Sequence, residues 1–565
     1  MGAEAVSVMR QFRSPLAIVL AVALLFCSSA LWAVAQEAAI DVTILAINDF
    51  HGNVRPPAGG IRIVDPNDRT RKISVPAGGA EHMATLVKEL RGKSKNSVFV
   101  AAGDLIGASP FLSALFRDEL TIESLSLMGL DIAAVGNHEF DKGRDELVRM
   151  QNGGCHPTKG CQGPHPFLGA RFRYLAASTV DKRTGATLFP PYAIREFGGV
   201  PVAFIGLTLK GTPDIVTPAG VAGLAFADEA DTVNALVPQL RQRGVEAIVV
   251  LIHEGGFPAG DYNECPGISG PIVDIVKKLD KAVDLVVSGH THRAYICSID
   301  GRLVTSADQY GTLVTQIDLK LDPKTRDVVS AKANNLIVRT DTYAKDAEQT
   351  ALIAAYDVLA RPLADRPVGS VSATLSRAPS AAGESVLGDI IADAQLAATR
   401  AEKDGGAAIA FTNPGGIRTD LVRKAEGGIT YADLFACQPF NNQLVTLTLT
   451  GAQIKQLLEQ QFLNQPEPII LQVSAGFAYR WDGARPVGDR VPADGIMLNG
   501  RPVDPRAPYR VTVNSFLASG GDRFLVLAQG IERRTGRFDH DALADYFAAN
   551  SPVAPRELGR IRRAN

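Results

Sequence analysis

The amino-acid sequence predicts an α/β protein of two domains, a layered α/β domain followed by a second, mixed α/β domain. The chain has 565 residues, and ordinary domains run to roughly 100–200 residues. From Ile40 onwards short apolar strands alternate with helical stretches, which is typical of a layered α/β domain. After Asn334 this character changes, and an Ala-rich helix over residues 344–360, followed by Arg361-Pro362 and Arg366-Pro367, predicts a connector between domains.

Composition and charge narrow the classes of protein. Hydrophobic residues make up 46% of the chain and charged residues 21%, which supplies a large core and argues against disorder. The net charge is −2. Because no basic surplus exists, a nucleic acid polymer is not an expected partner.

The first 35 residues have the features of a secretory signal peptide. Arg10 and Arg13 precede an apolar run over residues 16–26, and Ala-Val-Ala at 33–35 forms a small-residue cleavage site. A membrane span needs about 20 apolar residues, so we expect a cleaved, periplasmic or secreted chain with no stable membrane anchor. An uncleaved anchor is the alternative.

Cysteine usage agrees with export. Cys155 and Cys161 bracket a loop rich in Gly, Pro and Lys, so a local disulfide is plausible in an oxidising compartment. Cys265 and Cys297 are candidates for a second bridge, which leaves Cys437 buried and unpaired. Zinc-ribbon spacing is absent, so the cysteines are not expected to bind metal.

Five predicted strands of the first domain end in Asp, Asn or His. The strands cover residues 42–47, 97–102, 132–135, 247–252 and 283–287. The polar residues that follow them are, in chain order, Asp49, His51, Asp104, Asn137, His138, His253, His290 and His292. A single histidine at a strand end is more often a surface residue, but ligand sites of α/β sheets lie at the carboxyl ends of strands. Five of the nine histidines lie in these loops, which favours one shared site.

The residue types in these loops predict a metal centre. Carboxylate, amide and imidazole ligands without cysteine suit Zn²⁺, Mn²⁺, Co²⁺, Fe²⁺ or Mg²⁺. Seven candidate ligands are too many for one tetrahedral ion and suit two divalent ions, with Asp104 as the natural bridge. Two ions ~3.5–4 Å apart lower the pKa of a shared water and clamp the oxygens of an in-line displacement at phosphorus. We therefore expect hydrolysis of a phosphoester by metal-bound hydroxide.

His138 is the exception among these residues. It directly follows the candidate ligand Asn137, so its side chain is expected to point towards the leaving group instead of a metal. Asp141 lies three residues further on and is placed to hydrogen-bond the imidazole, which would fix its tautomer and raise its basicity.

Five short segments of the first domain together resemble the motifs of the calcineurin-like metallophosphoesterase superfamily. They are Asp49-Phe50-His51, Gly103-Asp104, Gly136-Asn137-His138-Glu139, His253-Glu254 and Gly289-His290-Thr291-His292. The whole chain resembles the bacterial periplasmic 5′-nucleotidase family, which includes UDP-sugar hydrolases and animal ecto-5′-nucleotidases. The resemblance implies a four-layer αββα sandwich over residues 36–340, a helical linker over 341–367 and a 5′-nucleotidase C-terminal substrate-binding domain over 368–565.

The resemblance also assigns roles to the strand-end residues. Asp104 would bridge the ions, the first ion would be bound further by Asp49, His51 and His292, and the second by Asn137, His253 and His290. His138 and Asp141 match the catalytic dyad. One position departs from the pattern, because well-known nucleotidases carry Gln or Asn where this chain has His292.

Three blocks of the second domain resemble the family's substrate-binding segments. They cover residues 413–418, 438–442 and 515–522. The resemblance implies that Phe440 and Phe516 stack on the nucleobase and that Asp522 binds the ribose hydroxyls. Asn413 begins the block that ends in Arg418, whose planar guanidinium suits phosphate. Arg377 is a further candidate phosphate contact. Helices are predicted over 385–400 and 451–462, and strands over 408–411, 444–449 and 509–514.

The leading hypothesis is an exported dimetal phosphohydrolase that releases phosphate from nucleoside 5′-monophosphates, with chemistry in the first domain, substrate binding in the second and closure by domain rotation. Enzymatic alternatives are a 2′,3′-cyclic-nucleotide phosphodiesterase/3′-nucleotidase, a UDP-sugar hydrolase and, more remotely, a sulfur-oxidation thiohydrolase. A non-catalytic nucleotide-binding protein would be expected to lack a ligand or the dyad, and neither is missing.

Overall fold

The computed structural model describes residues 38–463, 465 and 467–564. The predicted signal peptide lies outside the described residues. The first domain contains sixteen strands, which are β1 Ile40–Ile47, β2 Ile61–Asp65, β3 Asp68–Val75, β4 Ser97–Ala102, β5 Ile132–Ala134, β6 Arg173–Leu175, β7 Thr179–Asp181, β8 Tyr192–Phe197, β9 Val200–Thr208, β10 Leu224–Phe226, β11 Ala247–His253, β12 Leu285–Ser288, β13 Ala294–Ile299, β14 Arg302–Ala307, β15 Leu313–Leu321 and β16 Val328–Ile337.

Helices connect these strands on the outer faces. They cover Ala80–Gly92, Phe111–Leu115, Glu119–Met128, Arg144–Asn152, Thr212–Ile215, Glu229–Gln242 and Pro271–Lys278. The strands form two six-stranded sheets, with the orders β16-β15-β1-β4-β5-β6 and β13-β14-β12-β11-β9-β8. The central strands β1, β4, β5 and β6 run parallel in the first sheet, as do β9, β11, β12 and β14 in the second.

The two sheets pack face to face, and the alternation of side chains along β1 shows how. Val42 and Ile44 lie in the core between the sheets, with Leu251 and Val287 of the second sheet. Leu45 points to the opposite side, into the core beneath the helices. Because both faces of the central strands are buried, their sequences are continuous apolar runs. A second helical layer covers the other sheet, so the predicted four-layer αββα sandwich is confirmed.

The connecting helix covers Ala347–Ala364, later than the predicted residues 344–360. Its start is fixed by Asp346, whose side chain accepts a hydrogen bond from the backbone N–H of Gln349. The prediction that it ends before Pro362 is wrong. Proline lacks the N–H for the hydrogen bond to the carbonyl four residues earlier and its ring crowds that carbonyl, and here that residue, Val358, is exposed to solvent.

The second domain is mixed α/β, as predicted. Its strands are β17 Pro367–Ser370, β18 Ile409–Thr412, β19 Gly428–Thr430, β20 Gln443–Thr450, β21 Gln472–Val473, β22 Phe477–Asp482, β23 Met497–Leu498, β24 Arg501–Pro502, β25 Pro508–Asn514, β26 Ile531–Phe538 and β27 Ile561–Ala564. Its helices cover Val386–Thr399, Tyr431–Cys437, Gly451–Gln460, Ser515–Ala518, Leu525–Ala528 and Asp539–Asn550. Five strands form one sheet, in the order β21-β18-β25-β20-β26, and four form another, in the order β24-β23-β22-β27.

One apolar core passes from the first domain into the second. It contains Phe111 of the first domain, Ile353 and Tyr356 of the connecting helix, and Tyr431 and Phe435 of the second domain. The ring of Phe111 meets those of Tyr431 and Phe435 edge-on, with centroids 5.8 and 5.4 Å apart. The two domains are therefore joined by packed apolar contacts as well as by the chain.

Disulfides join Cys155 to Cys161 and Cys265 to Cys297, while Cys437 is buried and free. Both bridges lie in the first domain. Among the described residues, no helix combines the length and the apolar character that crossing a membrane requires.

Candidate metal centre and substrate cleft

Asp49, His51 and His292 form the first of two clusters at the carboxyl ends of the parallel strands. Their ligand atoms all lie within 4.8 Å of one another. The Nε2 atom of His292 lies 3.2 Å from Asp49 Oδ1 and 3.2 Å from Nε2 of His51. The Oδ1 atom of Asp49 is buried and has no hydrogen-bond partner. A buried carboxylate oxygen without a donor fits a site that binds a cation.

Asp104, His253 and His290 form the second cluster. Asp104 Oδ2 lies 3.0 Å from Nε2 of His253 and 3.7 Å from Nε2 of His51, so one carboxylate oxygen faces both clusters. The side-chain oxygen of Asn137 is 3.1 Å from Nε2 of His253. These positions bring together all seven residues that the sequence predicts as ligands.

Backbone groups hold the imidazoles in place. The Nδ1 atoms of His51 and His253 lie 2.8 Å from the carbonyl oxygens of Gly107 and Ala102. Because each Nδ1–H donates to its carbonyl, Nε2 is the ring atom that each histidine directs towards the cluster, the arrangement usual for histidine ligands. Asp49 is fixed by hydrogen bonds from the Asn48 side chain and the His290 backbone N–H, at 2.8 and 2.9 Å.

Several of the cluster residues have left-handed backbone conformations. The φ angles of Asp49, His51, Asp104, His290 and His292 are 50°, 45°, 49°, 71° and 53°. Non-glycine residues seldom adopt positive φ, and where they do the surrounding structure must hold them. These turns direct side chains from several strands into one small volume.

Burial keeps two of the histidines neutral. It lowers the pKa of His290 to about 3, an effect that the neighbouring His253 reinforces. Burial likewise lowers the pKa of His292 to about 4, although the carboxylate of Asp49 acts in the opposite direction. Neutral imidazole is the form that binds metal.

His138 and Asp141 form the predicted pair beside the second cluster. Nδ1 of His138 donates a hydrogen bond to Asp141 Oδ2 at 2.8 Å. Burial favours the neutral imidazole, but the carboxylates of Asp141 and Asp104 outweigh it and raise the pKa of His138. The His138 ring also stacks on the ring of Phe440, with a centroid distance of 5.7 Å.

A cavity of about 240 Å³ extends from the second cluster into the second domain. We call it the nucleoside cavity, because it is lined by residues to which the family resemblance gives a role in nucleoside binding. Its lining includes most of the predicted site residues outside the first cluster, namely Asn137, His138, Asp141, His290, Asn413, Arg418, Phe440, Phe516 and Asp522. Asn413 donates a hydrogen bond from Nδ2 to Asp522 Oδ2 at 2.8 Å. Burial raises the pKa of Asp522 to about 6, although the hydrogen bond from Asn413 opposes the shift.

The two predicted phosphate-binding arginines differ in position. The Nε and Nη2 atoms of Arg418 are buried without a hydrogen-bond partner, and its guanidinium lies 5.9 Å from the centre of the Phe440 ring. Arg377 is exposed and does not line the nucleoside cavity. Its Nη1 donates to the carbonyl of Ile417 at 3.1 Å. A phosphate-binding role for Arg377 therefore stays a prediction.

Sequence reasoning missed one wall of the nucleoside cavity. Ile215, Val216 and Thr217 of the first domain line it opposite the second domain's residues. Next to them, Arg523 donates to Asp214 Oδ2 across the domain boundary, at 3.1 and 3.2 Å. These residues carry no motif, and only the packing of the two domains brings them to the site.

Tyr310 was also missed. Its ring lies edge-on to both His51 and His292, with centroids 5.9 Å apart in each case. Its backbone N–H donates to the carbonyl of Asp49 at 2.7 Å. A positive φ of 60° is unusual for a bulky residue and marks a strained turn beside the first cluster.

Comparison with known proteins gives two family matches. The model described as calcineurin-like phosphoesterase matches residues 42–294, and the model described as 5′-nucleotidase, C-terminal domain matches residues 366–529. Calcineurin-like phosphoesterases use two divalent metal ions, in agreement with the two clusters found here.

Individual relatives cover nearly the whole chain. Endonuclease YhcR of Bacillus subtilis is 32% identical over 94% of this chain, which spans 41% of the endonuclease's length. Cell wall protein Lmo0130 of Listeria monocytogenes is 31% identical over 93% of this chain and 70% of its own. The crystal structure of a 5′-nucleotidase precursor from Thermus thermophilus superposes with a TM-score of 0.76 at 28% identity, covering 93% of this chain and 99% of that one.

The chain is thus similar over both domains to proteins that join these two modules, and it carries the two buried clusters that metal-dependent phosphoester hydrolysis requires. It belongs to the 5′-nucleotidase family of metallophosphoesterases.

Proposed function

We propose that the protein is an exported enzyme that releases phosphate from nucleoside 5′-monophosphates, in nucleotide catabolism and salvage. One observation carries the proposal. The guanidinium of Arg418, whose Nε and Nη2 atoms are buried and unpaired, lies in a single cavity with His138 of the dyad and with Phe440 and Phe516. A hydrogen-bond donor for phosphate, a proton donor and two aromatic rings in one cavity suit a phosphorylated nucleoside.

The residues present fit two divalent ions. We assign the first ion to Asp49, His51, Asp104 and His292, and the second to Asp104, Asn137, His253 and His290. The unpaired Oδ1 of Asp49 and the position of Asp104 between the clusters support this division. When bound, such ions lower the pKa of a water molecule and polarise phosphoryl oxygens.

The dyad handles the proton of the leaving group. With Nδ1–H donated to Asp141 at 2.8 Å, the imidazole of His138 is oriented so that Nε2 can give a proton to the departing 5′-oxygen. The raised pKa of His138 favours the protonated form that this role needs. Asp141 acts as a positioning residue.

The nucleoside is recognised by the second domain. Phe440 and Phe516 supply aromatic faces for the base, and Arg418 supplies a planar donor for phosphate. The half-buried carboxylate of Asp522, held by Asn413, is an acceptor for ribose hydroxyls. Residues 36–340 would thus carry the chemistry and residues 368–565 the selection of the nucleoside, with residues 341–367 linking the two.

A phosphate-release assay on metal-reconstituted protein tests the proposal. Wild type should hydrolyse AMP with a higher kcat/KM than p-nitrophenyl phosphate, and Phe516→Ala should abolish this preference while the rate on p-nitrophenyl phosphate persists. Equal kcat/KM values on both substrates, unaffected by Phe516→Ala, would contradict a nucleotide substrate. Export is tested separately, by the N-terminal sequence of the protein recovered from the periplasm or medium, which should begin at Gln36.

A further inference from the structure

The substrate cleft does not end at Arg418. A further cavity of about 350 Å³ lies against it, and Arg418 lines both this cavity and the nucleoside cavity. Tyr310 lines the further cavity from the first domain, and Thr419 and Val422 line it from the second. A phosphate bound at Arg418 would therefore have a cavity on either side.

Only Tyr310 links the further cavity to the first metal cluster, because none of the cluster's own residues lines the cavity. Tyr310, part of its wall, has its ring centre 5.9 Å from the ring centres of both His51 and His292. The strained backbone of Tyr310 is tied to Asp49 by the hydrogen bond to its carbonyl. Local strain of this kind collects at functional sites, and here it holds an aromatic ring between the metal ligands and the cavity.

The lining suits an uncharged ring system better than an anion. Apart from Arg418, its basic residues are already paired, Arg55 with Asp357 at 2.7 Å and Lys424 with Asp433. The apolar groups of the wall include Pro57, Leu112 and Val422 in addition to Tyr310. Nucleobases bind to aromatic faces in such settings, because every base has a π-face.

A third cavity, of about 450 Å³, is larger but less well placed. Asp141 and Phe440 line both it and the nucleoside cavity, so it lies beside the dyad. No residue of the two metal clusters lines either cavity, but Arg418, the candidate phosphate ligand, lines the cavity beside Tyr310 and does not line the third cavity. A group attached to a phosphate at Arg418 would therefore reach the cavity beside Tyr310 more directly.

We propose that the cavity beside Tyr310 is a second nucleoside subsite, and that the enzyme hydrolyses phosphodiesters joining two nucleosides in addition to nucleoside monophosphates. The inference rests on the proposed function. One nucleoside, joined to the phosphate through its 5′-oxygen, occupies the nucleoside cavity. The other, joined to the phosphate through its 3′-oxygen, occupies the second subsite.

The reaction is a hydrolysis. The oxygen of a water molecule forms a bond to phosphorus, and the bond from phosphorus to the 5′-oxygen breaks with its electron pair on oxygen. The departing oxygen takes its proton from Nε2 of His138. A proton from the attacking water then reprotonates Nε2. The products are a free nucleoside from the nucleoside cavity and a nucleoside 3′-monophosphate from the second subsite.

Val422→Trp tests the subsite. Val422 is 47% exposed, so an indole at this position is tolerated by the fold but fills the cavity. Val487 has the same exposed fraction, 47%, and lines none of the three cavities, which makes Val487→Trp the matched control. The substrates are adenylyl-(3′→5′)-adenosine and AMP, and thermal unfolding checks that both variants are folded.

We expect wild type to convert the dinucleotide to adenosine and adenosine 3′-monophosphate. In Val422→Trp the ratio of kcat/KM for the dinucleotide to kcat/KM for AMP should fall by at least about tenfold, while in Val487→Trp this ratio should equal that of wild type. Release of adenosine 5′-monophosphate from the dinucleotide, or equal ratios in the two variants, would overturn the inference.

The two proposals fail in different ways. A wild-type enzyme that does not hydrolyse AMP would overturn the proposed function. A wild-type enzyme that hydrolyses AMP but leaves the dinucleotide intact would overturn only the second subsite.

Discussion

The two ends of the substrate cleft are built differently. At the metal end, where the two clusters lie, the candidate ligands follow the ends of parallel strands and are mostly fully buried, and hydrogen bonds to backbone groups fix His51 and His253. At the nucleoside end, Phe440 and Phe516 are only half-buried and lie in loops or a short helix. The metal end is therefore preorganised by the sheets, whereas the nucleoside end is completed by contacts between domains.

This difference separates two kinds of failure. Damage at the metal end should reduce turnover of every phosphate ester, because all of them need the same ions. Damage at the nucleoside end should affect only substrates that carry a nucleoside. Comparing kcat/KM for AMP with kcat/KM for p-nitrophenyl phosphate therefore distinguishes damage at the metal end from damage at the nucleoside end.

The largest effect is expected from Asp104→Ala, which removes the carboxylate that faces both clusters. The kcat/KM values for AMP and p-nitrophenyl phosphate should both fall by about 10³-fold or more. Metal content, measured by mass spectrometry of the dialysed protein, should fall below two ions per chain. Asp318→Ala, at an exposed position of the same sheet, should change neither quantity. Unchanged metal content in Asp104→Ala would rule out a bridging role.

His138→Ala should have the next largest effect. Loss of a proton donor reduces kcat by about 10²–10⁴-fold, and both substrates should be affected, AMP more strongly because its leaving alkoxide is the more basic. Metal content should stay at the wild-type value, since Asn137 and not His138 faces the cluster. The control is His165→Ala, at an exposed histidine of the same domain. A loss of metal in His138→Ala would reassign this residue as a ligand.

Asp522 is expected to make nucleotide binding depend on pH. Burial raises its pKa to about 6, so the carboxylate acceptor is present above this pH and is lost as the pH falls through it. The KM for AMP should therefore rise at acid pH. Substrate phosphate titrates in the same range, so the informative quantity is the ratio of the Asp522→Asn KM to the wild-type KM. This ratio should be large at pH 8 and approach one at pH 5. A ratio that does not vary with pH would contradict the assignment.

The smallest effect is expected from Asp214→Ala, which removes the ion pair with Arg523 across the domain boundary. Both side chains are about half-exposed, and such pairs contribute little. The KM for AMP should rise by about two- to fivefold, whereas kcat for p-nitrophenyl phosphate should not change. The control is Asp274→Ala, at an exposed aspartate elsewhere in the domain, and its KM for AMP should equal that of wild type. A comparable rise of the wild-type KM in high salt would support the same cause, whereas a larger change in kcat than in KM would contradict it.

The metal end could be predicted from sequence because its signals are local. An apolar run followed directly by Asp, Asn or His places a side chain at a strand end, as in β4 followed by Asp104 and β11 ending at His253. The parallel order of the strands then brings these ends together. The alternation of strands and helices predicted a layered α/β domain, and the family resemblance implied its four-layer arrangement.

The nucleoside end was predicted only in part. The family resemblance gave the second-domain residues that line the cavity, such as Arg418, Phe440 and Phe516, but the wall from the first domain was missed for a physical reason. This wall of Ile215, Val216 and Thr217 is formed by docking between domains, and the Asp214–Arg523 contact joins residues 309 positions apart. The periodicity of hydrophobic residues in the sequence does not indicate such a contact. Tyr310 was missed because a positive φ at a bulky residue cannot be read from residue type. The stacking of Phe440 on His138 likewise depends on how the domains meet.

The apolar core that runs through the connecting helix has a consequence for heat denaturation. Because Phe111, Tyr356 and Phe435 belong to one packed core, melting either domain would expose apolar surface of the other. The two domains should therefore lose structure in a single calorimetric transition, even though the sequence assigns them to separate modules. Whatever movement accompanies substrate binding must also keep these side chains in contact, which favours rolling of one domain over the connecting helix and disfavours wide separation.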